Sequence, residues 1–221
     1  MSTAVKNPGE EPAWKQRAVE RSVRTAKVRA GQRVQRFLES AQAIIAEKGT
    51  TDFTVQEVVD RSRQSLRSFY LQFDGKHELL LALFEDAVSK TADQIRAAAG
   101  DHTDPVARLK VAVTELFEVC RVGSTARRPL FSDFAPQLLI SHPDEMRIAH
   151  APLAGLFTGL MEDAAAAGEL RSGVSPRRLA AMTMQTVMFI AAQAGGEAVD
   201  DGHHAITADE VWEFCSRGFA R

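Results

Sequence analysis

The sequence has little of what several protein classes depend on. It holds two cysteines, Cys120 and Cys215, far apart and in no C-x-x-C pair. A disulfide scaffold is thereby excluded, and two reduced, buried thiols are expected. A single tyrosine and no Asn-Gly or Asp-Gly turn between alternating runs leave almost no strand signal. The longest apolar stretch, Leu179 to Ala194, is crossed by Thr183, Gln185, Thr186 and Gln193 and is too short to span a bilayer. No secretory apolar core stands in the first thirty residues, which Lys6, Lys15, Arg17, Arg21 and Arg24 interrupt, so a cytoplasmic location and no membrane partner are expected. Excess charge is also missing. With 27 Lys+Arg against 29 Asp+Glu the net charge is -2, which excludes a chain-wide polycation. Across 221 residues, 45% hydrophobic and 25% charged content is that of a globular chain.

What the sequence does have is helix punctuation. Thr54 with Glu57 and Thr207 with Glu210 match the capping box, in which hydroxyl and carboxylate cap each other's backbone donors. Asp104-Pro105 and Ser175-Pro176 pair an N-cap with a proline at the first helical position. Glycines at 49, 100, 123, 168 and 195–196 mark stops. The pattern predicts helices near 30–48, 54–61, 65–71, 76–99, 105–122, 126–140, 143–168, 175–195 and 207–220, with residues 1–11 a frayed terminus. The expected fold is all-α: a small N-terminal three-helix module on a larger helical body.

Residues 54–73 carry the most chemistry. A helix capped at Thr54 buries Val55, Val58 and Val59, breaks over Arg61 to Gln64, and gives way to a second helix capped by Ser65. Phe69 and Phe73, four apart, share one face, while Arg67, Ser68, Leu71 and Gln72 point away from it. An aromatic inner face with a polar, cationic outer face makes a helix-turn-helix. The first turn of such a second helix enters the major groove, where arginine reads guanine and glutamine reads adenine. A plain helical hairpin with a phenylalanine core is the competing reading.

The spacing continues through Ser65, Ser68, Phe69, Tyr70, Phe73, Lys76 and Leu79, preceded by Ile44, Ile45, Gly49 and the entry Phe53, Thr54, Val55. Over about residues 33–85 this run resembles the DNA-binding domain of the TetR family of bacterial transcriptional regulators. The resemblance implies phosphate contacts from Thr54, Tyr70 and Lys76. It implies base or backbone contacts from Gln64, Ser65, Leu66, Arg67, Ser68 and Gln72. The turn departs from the family pattern: Arg63 then Gln64 stand where Gly then Val are usual. Arg63 must therefore take the turn without glycine's freedom. Leu66 either takes over the burial a Val at 64 would supply or, if exposed, meets a thymine methyl.

Charge is unevenly placed. Residues 12–36 hold eight Lys or Arg against Glu20 alone. Residues 37–90 carry a net -3 and residues 91–221 a net -5. The cationic weight thus lies ahead of the motif. It predicts a DNA-contacting arm over residues 12–30, with Arg21, Arg24, Lys27 and Arg29 on phosphates or in a groove. The competing reading is a solvated helical tail, with Glu20 and Arg24 paired at i, i+4. The expected division is a basic extension at 1–29, a helix-turn-helix domain at 30–75 and a body at 76–221.

For the body, the resemblance implies effector binding among the middle helices and dimerisation through the last two. Phe117, Phe131, Phe134, Phe157, Met161, Met184 and Met188 are the candidate effector contacts, and their character predicts a hydrophobic small molecule. Ordinary core is the competing reading for each. Arg127, Arg128 and His150 are candidates for an anionic head group. Ala180, Ala181, Met184, Val187, Met188, Ala191, Val211, Trp212 and Phe214 present a face suited to helix pairing across a two-fold axis. Enzyme motifs are lacking. His77-Glu78 has Leu81 where a zinc protease needs its second histidine, and no nucleophile elbow or phosphate loop is present. Asp200, Asp201, His203 and His204 are a loop cluster of weak metal character. The expectation is a non-enzymatic, ligand-responsive regulator, by family default a repressor. It would bind a palindromic operator in double-stranded DNA as a homodimer, with no cofactor and no metal. An effector-independent DNA-binding protein and an all-α metal enzyme are the alternatives.

Overall fold

The computed structural model describes residues 12–122, 129–171, 173–194 and 206–219. Among them every regular element is helical. The first, α1, spans Ala13–Lys48, 36 residues, a rod of about 54 Å at 1.5 Å per residue. The expected helix start near residue 30 is thereby corrected: extension and first motif helix are one element. The reason is local. Residues 13–36 are mostly Ala, Arg, Gln, Lys and Glu, all strong helix formers. Gly31 alone, at about 1 kcal/mol against Ala, is too small a penalty to break the run. The helix stops at Gly49, which takes φ 66° and returns its N–H to the Ile45 carbonyl.

Helices α2 (Val55–Ser62) and α3 (Leu66–Tyr70) complete a three-helix module with the C-terminal half of α1. Its centre is three rings. Phe37 meets Phe69 edge-on at 5.3 Å and Phe73 at 6.2 Å. All three are at most 5% exposed, so the predicted inner face of α3 is as expected. Edge-to-face geometry adds about 0.5–1.5 kcal/mol per pair beyond burial.

Helix α4 (Lys76–Gly100) follows α3 after a five-residue link and runs into the body. There α5 (Pro105–Val122) and α8 (Ala151–Ala166) pack on it, α9 (Pro176–Ala194) packs on α5 and α8, and α10 (Ala208–Phe219) lies on α5. Both predicted capping boxes form: the Thr54 and Thr207 hydroxyls accept from Glu57 N and Glu210 N, at 3.2 and 3.3 Å.

Two middle helices differ from expectation. Within the predicted helix 126–140, Leu130–Phe134 winds as a π turn before α6 (Ala135–Ser141). The predicted helix 143–168 is split at His150 into α7 (Pro143–Ala149) and α8. Pro152 has no N–H for the Ile148 carbonyl, which removes one rung of the ladder there. The acidic-histidine cluster at 200–204, Arg127 and Arg128, and the frayed segment 1–11 lie outside the described residues. Among the described residues no helix is long and apolar enough to cross a membrane.

The face of α9 expected to pair between subunits is corrected. Ala180, Met184, Val187 and Ala191 are buried at 0–7% exposure within the chain, where α9 packs on α5 and α8. Of the residues expected to pair, Ala181 and Phe214 of α10 stay exposed, and on the opposite side of α9 Met182 and Phe189 are 64% and 65% exposed. Both sides carry apolar residues, so periodicity could not say which one the chain itself covers.

Candidate nucleic-acid interface

Between α2 and α3 the chain reverses at Arg63, the one non-glycine residue of positive φ among those described (φ 54°, ψ 36°). Its N–H bonds the Asp60 carbonyl at 3.3 Å, and Gln64 N–H bonds the Val59 carbonyl at 3.3 Å. Arg63 thus takes a left-handed backbone, at a cost of about 1–2 kcal/mol for a side chain with Cβ. Ser65 then caps α3, its hydroxyl accepting from Ser68 N–H at 3.1 Å.

The outer face of this corner is where a duplex would lie. Arg67 and Ser65 are exposed, as are Leu66 (43%), Tyr70 (54%) and Leu71 (71%). Thr54 is exposed at the start of α2, while Ser68 and Gln72 are half-buried. Lys76 is half-buried with its ammonium 4.9 Å over the Phe53 ring and 3.8 Å from Asp52. Gln64, an implied base or backbone contact, is half-buried and tethered. Its amide donates to the Arg33 carbonyl of α1 at 3.0 Å, tying the turn to the long helix. Sequence spacing gave no sign of that bond, which joins residues 31 apart.

Charge pairing sorts the cations. Within the module, Arg61 forms a two-pronged bond to Glu47, 2.6 Å on one arm, and Lys48 pairs with Glu57 at 2.6 Å. The Lys48 ammonium, with the Thr54 N–H and hydroxyl, holds the Glu57 carboxyl down to about 2. The Arg61 guanidinium holds Glu47 below the usual carboxylate range. Arg63 and Arg67 make no ion pair among the described residues, nor do Arg17, Arg21, Arg24, Lys27, Arg29, Arg33 and Arg36 of α1. The Glu20–Arg24 pair is not formed. Residues 13–29 are exposed throughout, so the arm stands off the body as a cationic helix.

In the body, Phe117, Phe157 and Met161 are fully buried, Phe134 and Met184 nearly so, and Phe131 and Met188 half-buried. Phe131 and Phe134 lie on the π turn and meet Phe84 of α4 at 5.3 and 6.3 Å, with His150 against the same ring at 5.3 Å. His150 Nδ1 bonds the Met146 carbonyl, its Nε2 is buried without a partner, and burial pushes its pKa down. Arg121 Nε is likewise buried and unpartnered. A cleft of about 640 Å³ lies elsewhere, between α9 and α10, lined by Met182, Thr186, Phe214 and Phe219.

Residues 37–83 match the family described as bacterial regulatory proteins, tetR family. The HTH-type transcriptional regulator YvdT of Bacillus subtilis is 28% identical over 83 residues. That match spans 38% of this chain and 43% of YvdT, less than half of either. Two solved structures share the architecture over most of the chain. FadR from Bacillus subtilis in complex with stearoyl-CoA has a TM-score of 0.65 at 15% identity, over 83% of this chain and 98% of that one. RolR in complex with resorcinol has a TM-score of 0.66 at 18% identity, over 87% and 90%. These likenesses establish the fold.

Proposed function

From the premise that residues 37–83 belong to the tetR family of bacterial regulatory proteins, we propose that this protein is a ligand-responsive transcriptional regulator, acting as a repressor and in the cytoplasm. Its task is binding, not catalysis. The observation that carries the reading is the open outer face of α3 beside a helical arm whose arginines have no acidic partner among the described residues. In the reading, Arg67, Leu66 and Tyr70 meet the major groove, Thr54 and Lys76 hold phosphates, and Gln64 braces the turn. The arm lies along phosphates of the neighbouring groove. Cations that displace condensed counterions make binding salt-dependent. Deleting residues 1–28 lowers DNA affinity and flattens the slope of log K against log salt. An unchanged slope defeats the arm.

The effector is a hydrophobic small molecule received among Phe117, Phe131, Phe134, Phe157, Met161, Met184 and Met188. The ligands named for FadR and RolR support this class. The unpartnered nitrogens of His150 and Arg121 suit a polar head on such a molecule. Helix α4 links the two ends, since Lys76 stands beside the DNA-facing corner and Phe84 meets the π turn. A ligand that favours one position of α4 shifts the population toward it. The open apolar side of α9 and α10 is the proposed homodimer face, which would set two α3 helices in successive grooves of a palindrome. DNA selection with the purified protein tests the whole. Recovery of near-palindromic sites is expected, and recovery of none defeats it. Light scattering at micromolar concentration tests the dimer through its mass.

A further inference from the structure

We propose that His77, His142 and Glu145 form a binding site for one divalent transition-metal ion, clamping the start of α4 to the corner between α6 and α7. One donor atom from each residue lies within 4.8 Å of the other two. His77 Nε2 is 2.8 Å from Glu145 Oε2. The two imidazoles lie over one another at 4.6 Å between centroids, tilted by 39°. Tetrahedral coordination needs donors about 3.3 Å apart, given metal–ligand bonds of about 2.0–2.1 Å. The side chains are exposed or half-exposed, and their rotation is what would close the remaining gap.

The protonation pattern is already set at one ligand. The Ser141 hydroxyl donates to the Gln137 carbonyl at 2.6 Å, so its oxygen accepts from His142 Nδ1–H at 2.8 Å. That leaves the lone pair on His142 Nε2, the arrangement by which an outer hydrogen bond orients a metal-bound histidine. On the other side the Phe134 ring backs His77 at 5.6 Å. Two imidazoles and one carboxylate suit zinc, cobalt, nickel or iron(II) over magnesium or calcium. With three protein donors, the remaining coordination positions face solvent. Its members are up to 68 residues apart and follow no ligand-spacing motif, so sequence spacing does not point to them.

The site does not depend on the regulatory reading and is tested without DNA. Untagged full-length protein, stripped with EDTA, is titrated with Co²⁺ by visible absorption and with Zn²⁺ by calorimetry. One ion per chain at micromolar Kd or tighter is expected. Each of His77→Ala, His142→Ala and Glu145→Gln should weaken binding by about tenfold or more, and His102→Ala, on an exposed loop, should leave it unchanged. Circular dichroism verifies that each variant is folded. Zn²⁺ should raise the Tm of the wild type and not that of the His77→Ala, His142→Ala double variant. Absence of saturable Co²⁺ binding below millimolar, or binding that survives the double variant, overturns the site.

Discussion

The two halves of α1 are written alike and used differently. An apolar stripe runs through Val19, Val23, Ala26 and Ala30 and continues through Val34, Phe37, Ala41 and Ile44 at steps of three and four. In the second half it is clamped. Phe37 and Ala41 are 0% exposed against α2, α3 and α4. In the first half Val19 and Val23 are 51% and 61% exposed and flanked by cations. Periodicity states which residues share a face, whereas burial needs another segment to arrive there. The arm keeps its helix because it grows from an already nucleated one, which removes the costly first turn.

The sharpest way to break this comparison is amide hydrogen exchange. The amides of Ile44 and Ile45 should exchange more than about a thousandfold slower than unprotected ones, and those of residues 17–28 less than about tenfold slower, since local opening of the arm costs little. Equal protection in both halves would mean the arm has an unseen partner. Next in size is truncation. Phe37→Ala, which leaves a hole between Phe69 and Phe73, should cost about 3–5 kcal/mol in urea unfolding. Val23→Ala in the arm should stay within about 0.5 kcal/mol of wild type.

Acid then sharpens the clamped end, where Lys48 meets Glu57. The Glu57 carboxyl sits below its ordinary 4.5, at about 2. Its contribution to stability is therefore complete above pH 4.5 and is lost as the pH falls from there toward 2. Glu57→Gln should reduce the pH dependence of the urea midpoint over that window, and an unchanged profile would place the linkage elsewhere. The smallest effect concerns the turn that fastens α1 to α3. Arg63→Gly relieves a left-handed side chain worth about 1–2 kcal/mol but gives back about 0.5–1 kcal/mol of chain entropy. A Tm rise of a few degrees at most is expected, and a fall would show that the arginine side chain stabilises the turn.

Much of the candidate interface was readable without coordinates. Thr54 and Ser65 cap where their spacing said they would, and Phe69 and Phe73 turn inward. Leu66 is exposed, so the reading in which it fills a buried position is corrected. Those features are local, set by residues three or four positions apart. The bond from Gln64 to the Arg33 carbonyl was not readable, because that partner comes from another helix. Which side of α9 stays open was not readable, because both sides are apolar and only the arrival of α5 and α8 distinguishes them. The π turn left no pattern, since one wider turn barely shifts helical spacing.

By itself the sequence determined the helical class, the caps, the recognition corner and the segregation of positive charge into residues 12–36. Each follows from backbone hydrogen bonding and side-chain spacing within a few residues. Tertiary structure alone decided which half of α1 is buried, which side of α9 faces out, and that His77, His142 and Glu145 meet. These depend on where distant segments come to rest, and packing, unlike capping, is a property of two partners.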